Sequence, residues 1–339
     1  VKQQILATGF FLLSVIFPFK VLAKNYDEIY VFGDSFSDTG NAFHATQEAL
    51  PPTPPYFDGR FSNGSVWVEY LAQDLGLTFN PHTDFAVGGA TTGFDNISNP
   101  VLPGLQQQIT SFTTANSSAD SNALYIVWAG ANDDFNYFLG GVPNPNQTVA
   151  NISGAVKSLA AVGAKDIMVV NLPDLGKFPV ASFNSQIPSI FTNLTSAYDL
   201  SLNTTINSLS QQLGSNINII PFDINSLFNQ LITEPQEFGL TNVTNYCIQD
   251  LSVVPLNLPM QPVTCNPNEF LFWDPVHPTT TTHQLIAKSA FSVLQASIPE
   301  PSAVLGVLAF SALGTVLQLK NKRRLGNAET VIPREAINS

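Results

Sequence analysis

Apolar residues in this chain fall into short unbroken runs, separated by longer stretches in which they recur every third or fourth position. Short runs bounded by turn formers read as buried strands. Strands are therefore expected at Ile29–Phe32, Asp84–Val87, Ala123–Trp128, Asp166–Asn171 and Asn216–Phe222. The periodic stretches predict helices at Ser65–Leu75, Leu105–Thr113, Thr148–Val162, Ser189–Leu213, Ile224–Leu231 and Thr279–Ala296. In the third of these, Val149, Ile152, Val156 and Leu159 are spaced by three and four, so they share one helical face. Alternation of strands and helices is the α/β pattern, here in one domain over residues 24–298. Pro51-Pro52-Thr53-Pro54-Pro55 is a stiff turn rather than a linker. It brings Tyr56, Phe57 and Phe61 towards the loop after the first strand, either as pocket wall or as ordinary loop packing. The stretch Thr233 to Asn268 is long and irregular, a lid or a surface loop.

Two stretches depart from that alternation. Residues 1–23 carry Lys2, a mostly apolar run Ile5 to Phe19, and Val21-Leu22-Ala23, the small-residue pattern that precedes signal cleavage. A signal peptide cut after Ala23 is expected. Residues 299–324 begin with Pro299-Glu300-Pro301-Ser302, continue as an apolar run to Leu317, and end on Lys320-Asn321-Lys322-Arg323-Arg324. An apolar span of about 17 residues is marginal for a bilayer. The basic cluster after it fits the positive-inside rule. The order of these parts resembles the PEP-CTERM sorting signal of exported bacterial proteins. That resemblance implies transient anchoring in the inner membrane and a sorting protease as partner. The tail Leu325 to Ser339 beyond the cluster is longer than such signals carry. The implied localisation is exported: periplasmic, outer-surface or extracellular.

Composition narrows the partners. The chain has 339 residues, a net charge of −12 and only 11% charged residues, against about a quarter in ordinary domains. Apart from the short C-terminal cluster, nothing is basic enough to track phosphates, so no nucleic-acid partner is expected. Cys247 and Cys265 are the only cysteines, and in an exported chain an even count suggests one disulfide. Two free thiols are the alternative. Their spacing fits no zinc pattern.

Candidate chemistry sits at the strand ends. Ile29–Phe32 runs into Gly33-Asp34-Ser35, which places a hydroxyl at the carboxyl edge of a sheet, where open α/β sheets bind ligands. Taken alone it is equally a polar turn. Of four histidines, His44 and His82 lie in loops, and His283 lies inside a predicted helix. His277 stands apart, in Trp273-Asp274-Pro275-Val276-His277-Pro278. Two prolines hold that segment as a turn. A carboxylate three residues away can accept the imidazole Nδ1–H and leave Nε2 to take a proton from Ser35. The plain alternative is a turn that caps the last helix. Phe85-Ala86-Val87-Gly88-Gly89 offers a backbone N–H at a glycine turn. Gly130-Ala131-Asn132-Asp133 offers a side-chain amide after the strongest strand. Donors of this kind build an oxyanion hole.

Four such motifs in this order resemble the GDSL or SGNH hydrolase family of esterases and lipases. Gly33-Asp34-Ser35 with Ser37-Asp38-Thr39-Gly40-Asn41 is similar to its first block, Ala86 to Thr91 to its second, Gly130 to Asp133 to its third, and Trp273 to Thr279 to its last. The likeness spans Tyr30 to Ala296. It implies a three-layer α/β/α sandwich on a mainly parallel five-stranded, flavodoxin-like sheet. It also implies Ser35 as nucleophile, His277 as base and Asp274 as its orienter. The Ser35 N–H, the Gly89 N–H and the Asn132 side chain would form the oxyanion hole, with no cofactor and no metal. Phe36 replaces the leucine of the name motif, and Asp84 stands where many members carry Asn. No Gly-x-Ser-x-Gly elbow occurs. The expected activity is hydrolysis of carboxylic esters. The alternatives are acyl transfer to an alcohol, and a non-catalytic surface or exopolymer-binding protein on the same fold.

Overall fold

The innermost layer forms from the segments with the least polar choice. In the computed structural model, which describes residues 25–248 and 265–296, β1 (Ile29–Gly33), β2 (Leu124–Trp128), β3 (Asp166–Val170) and β4 (Asn218–Phe222) lie side by side in that order. All three pairings are parallel. β2 and β3 are buried at every position, as strands covered on both faces must be. β4 exposes Asn218 and Pro221. Proline lacks the N–H that an interior strand needs, so it belongs on such an edge.

The flanking layers are helical. α1 (Asn41–Ala45), α2 (Trp67–Asp74) and α3 (Leu105–Ala115) lie between β1 and β2; α4 (Ala131–Phe135) and α5 (Pro145–Ala161) between β2 and β3. α6 (Ile187–Leu213) precedes β4, α7 (Ile224–Thr233) follows it, and α8 (Thr280–Ala296) comes last. α3, α5 and α6 pack side by side. The expected stripe on α5 is the face it buries. That helix starts earlier than expected because Asn144 caps it and Pro145 occupies its first turn. On the opposite face α2 meets α8 through Tyr70 Oη and Thr280 Oγ1 at 2.7 Å, and the Trp67 N–H donates to His283 Nδ1 at 3.2 Å.

The expected fifth strand is not completed; the sheet has four strands. Asp84–Val87 does run beside β1. It makes one parallel bridge, and the Phe85 and Val87 N–H groups donate to Val31 O and Gly33 O. The return bond from Gly33 is diverted to a side chain: Gln108 Oε1 takes its N–H at 2.9 Å. On the edge of the segment away from β1, Asn41 Nδ2 donates to Asp84 O and Ala86 O at 2.9 Å each. The order of this segment, then β1, β2, β3 and β4 still matters. The chain steps outward from β1 and then back to β2. Right-handed crossovers send those two connections over opposite faces, which opens a crevice at the carboxyl ends of β1 and β2.

The stretch expected to be irregular contributes one strand to a second sheet. β5 (Asn242–Tyr246) pairs in parallel with β6 (Phe270–Phe272). Cys247 and Cys265 are joined in a disulfide between them. The expected signal peptide, membrane anchor and tail lie outside the described residues. Among the described residues no helix is long and apolar enough to cross a membrane.

Candidate active site

Ser35 sits in the turn that ends β1. The Ser37 and Asp38 N–H groups fold back onto Asp34 O at 3.0 and 3.1 Å. Gly33 is required there, because a Cβ on it would lie 2.1 Å from Trp128 O. Gln108 holds that glycine at both ends, its Nε2 donating to Gly33 O at 2.8 Å. Phe36 stacks on Trp128 with centroids 4.9 Å apart, which anchors the turn to β2. The larger ring in the leucine position is therefore a packing element.

His277 arrives from the loop between β6 and α8, 242 residues away, and its Nε2 lies 2.8 Å from Ser35 Oγ. Its Nδ1 lies 2.6 Å from Asp274 Oδ2. Asp274 shapes its own loop. Its Oδ1 accepts the Val276 and His277 N–H groups, each at 2.7 Å. This is the bond pattern of an Asx turn. Trp273 N–H closes the turn onto His277 O at 2.7 Å. Burial alone would push the Asp274 carboxyl up; the facing His277 and the hydrogen bonds from His277 and Tyr56 hold it below its ordinary value. An ionised acceptor there fixes the proton on Nδ1 and leaves the Nε2 lone pair facing the serine.

The two expected donors meet at the same place. Gly89 has φ +82°, and a Cβ would stand 2.3 Å from Ser98 Oγ and 2.5 Å from Asn96 Oδ1, so only glycine fits. Asp38 Oδ2 takes the neighbouring Gly88 N–H at 2.7 Å, which aims the turn. Asn132 opens α4, spends one amide hydrogen on Ala90 O at 2.9 Å, and retains the other. Ser35, Gly89, Asn132 and His277 line one cleft, whose apolar walls include Phe61, Ile97, Phe135, Phe138, Leu139 and Val276.

The match that decides the family covers most of the chain: the GDSL-like lipase/acylhydrolase model aligns with residues 29–290. The chain belongs to this family, and it is a carboxylic ester hydrolase. A phosphatidylcholine-sterol acyltransferase of Aeromonas hydrophila is 31% identical over 312 residues, 80% of this chain and 90% of that protein. A thermolabile hemolysin of Vibrio parahaemolyticus is 33% identical over 275 residues, 77% of this chain and 62% of that protein. A GDSL esterase/lipase of Arabidopsis thaliana is 28% identical over 314 residues, 76% of this chain and 86% of that protein.

In this GDSL hydrolase the Asp84 departure has a defined place. Its Oδ2 accepts the Thr39 N–H at 2.8 Å and the Thr39 hydroxyl at 2.6 Å, and its Oδ1 accepts the Ala86 N–H at 2.9 Å. It ties the first block to the second. Burial, with Asp38 nearby, raises its carboxyl well above the ordinary range. The remaining histidines stay apart from the cleft. His44 and His82 are exposed. His283 is buried and pushed down to about 3 by that burial, a neutral cap for α2.

Three residues play parts that the sequence reading does not give, although it offers Tyr56 and Phe61 as pocket wall and both line the cleft. Gln108 was visible as a polar residue within the buried stripe Leu105, Ile109 and Phe112. Asp34 is buried beside Ser35, and burial pushes its carboxyl up to about 7. Tyr56 lines the cleft and donates to Asp274 Oδ2 at 2.6 Å. No spacing in the sequence links residues 218 apart.

Proposed function

We propose that this hydrolase works as a serine esterase through an acyl-enzyme on Ser35. The observation that carries the reading is the continuous Ser35 Oγ–His277 Nε2 and His277 Nδ1–Asp274 Oδ2 contact at 2.8 and 2.6 Å. Ser35 Oγ attacks the ester carbonyl as its proton passes to His277 Nε2. The oxyanion takes hydrogen bonds from the Ser35 N–H, the Gly89 N–H and Asn132 Nδ2. Collapse expels the alcohol, which receives the proton from Nε2. Water, deprotonated by the same nitrogen, then releases the acid and restores Ser35. Asp274 stays ionised and balances the imidazolium. The aromatic and aliphatic walls of the cleft suit an acyl chain.

The disulfide supports export, because such bonds persist in oxidising compartments. The segment 299–324 would then hold the protein at the membrane until a sorting protease acts. Fractionating cells that express the full chain checks this: the hydrolase in the cytosol with both thiols free would refute it.

Acyl transfer to an alcohol is the second reading, favoured by the acyltransferase activity for which the Aeromonas relative is named. Both readings share the acyl-enzyme and differ in the acceptor. The deciding assay follows p-nitrophenyl esters from two to sixteen carbons, with a sterol or simple alcohol added in a parallel series. Ser35→Ala should abolish p-nitrophenol release; a retained rate would refute the nucleophile. An acyl-alcohol product outpacing free acid would favour transfer.

A further inference from the structure

The Asp274 carboxylate has a fourth partner that the triad does not require. Its Oδ1 is spent on two backbone N–H groups, and its Oδ2 accepts both His277 Nδ1–H and the Tyr56 hydroxyl, each at 2.6 Å. Tyr56 is 2% exposed, and Asp274 is fully buried. The tyrosine is built into place. Its loop is tied to the His277 loop by the Ser62 hydroxyl on Pro278 O at 2.9 Å. Its ring packs against Phe61, whose own ring lies 5.1 Å from the His277 imidazole.

Two hydrogens on one oxygen compete for the same electron density. A hydroxyl donor on Oδ2 fixes the rotation of the carboxylate, so the lone pair facing Nδ1 cannot swing away. It also weakens the hold of that oxygen on the imidazole proton. We propose that Tyr56 is a positioning residue of the catalytic site: by donating to the oxygen that accepts His277 Nδ1–H, it sets both the orientation and the strength of the Asp274–His277 hydrogen bond. This rests on the serine-esterase reading above. The hydrogen bond from Tyr56 is among the contacts that keep Asp274 ionised. Among the described residues, the other titratable groups whose charges interact with the pair include Tyr246 from β5, Asp34 from the β1 loop and His283 on α8.

Tyr56→Phe in the full chain keeps the ring and removes the hydroxyl that donates to Asp274. Three readouts follow. The kcat should fall roughly three- to tenfold with KM little changed, the size expected when one hydrogen bond to a charged group is lost and the ring that lines the cleft stays in place. The acid limb of kcat/KM should move to higher pH by roughly half a unit, because a more basic carboxylate favours the imidazolium. The low-field proton resonance of His277 Nδ1–H, identified by its loss in His277→Gln, should move further downfield. Replacing Tyr56 by 3-fluorotyrosine, a stronger donor of nearly the same shape, should move limb and resonance the opposite way. It also serves if the phenylalanine variant does not fold. An unmoved limb or an unmoved resonance overturns the proposal, because a purely packing role predicts both. If wild type and Ser35→Ala are equally inert, the esterase reading has failed, and the resonance alone decides the role of Tyr56.

Discussion

The loop after β1 and the loop before α8 each bury an aspartate beside the Ser35–His277 pair. Asp34 is 1% exposed and Asp274 is 0%, so water is equally absent from both. Their charges nevertheless diverge. Asp34 is pushed up to about 7 by burial, with one hydrogen bond to Oδ1 from the Phe36 N–H and, among the described residues, none to Oδ2. Asp274 is held below its ordinary value. Hydrogen-bond number alone does not account for this. Asp38 accepts four backbone N–H groups, from Gly40, Asn41, Ala42 and Gly88, and burial still raises it. What Asp274 has in addition is a directly bonded side chain able to carry positive charge. Neutral donors reduce the cost of a buried carboxylate, and a facing imidazole reverses it. Only one of the two loops can therefore support a developing imidazolium.

The most severe way to break the contrast is Asp274→Asn, which keeps the shape and removes the charge. The asparagine would also present the wrong partner to Nδ1. We expect kcat on p-nitrophenyl acetate to fall by roughly 10^3 to 10^4. A loss below tenfold would show that the buried charge is not needed. Next in size is Asn132→Ala, which removes an oxyanion donor and leaves both aspartates untouched. Its expected cost is about 10^2 to 10^3 in kcat, or about 2.7 to 4 kcal/mol, with KM little changed. A raised KM at constant kcat would instead place Asn132 in ground-state binding.

Asp34→Asn is the mildest and sharpens the comparison from the other side. With a folded value of about 7 against an ordinary 3.8, the folded state binds the extra proton. Its stabilising contribution is complete below pH 4 and is lost as pH rises through 7. One group contributes a slope of at most about 1.4 kcal/mol per pH unit in that window. Denaturant midpoints measured from pH 4 to 8 should decline less in Asp34→Asn than in wild type. Parallel declines would mean that the loss comes from other carboxyls, such as Asp134, which burial also pushes to about 7.

Much of this arrangement can be read before any coordinates. β1 to β4 are apolar runs that have no other stable place than a covered sheet, and each lies within two residues of its expected bounds. Asp274 and His277 are close in sequence and locked between prolines, so their pairing is local. Strand pairing is not local. Asp84–Val87 has the composition of a strand, yet Gln108 takes the Gly33 N–H that would pair with it, and Asn41 occupies its outer carbonyls. β5 and β6 pair across a long stretch, interrupted by prolines, whose pattern predicts nothing regular.

What the sequence determined by itself is therefore the set of elements with a short-range cause: apolar runs, helical stripes, the Gly33-Asp34-Ser35 turn, the Asp274–His277 turn and the glycine at position 89. Local sterics, chain stiffness and hydrophobic periodicity act within a few residues. The four motifs in order point to Ser35 and His277 as partners, and the fold supplies their contact. Only the tertiary structure decided that Tyr56 donates to Asp274 and that Asp34 and Asp274 prefer different charges. Those outcomes depend on dielectric surroundings and on contacts across 218 and 242 residues. Electrostatics in a buried site is set by what the fold brings alongside, and neighbours in space leave no mark on the spacing of neighbours in sequence.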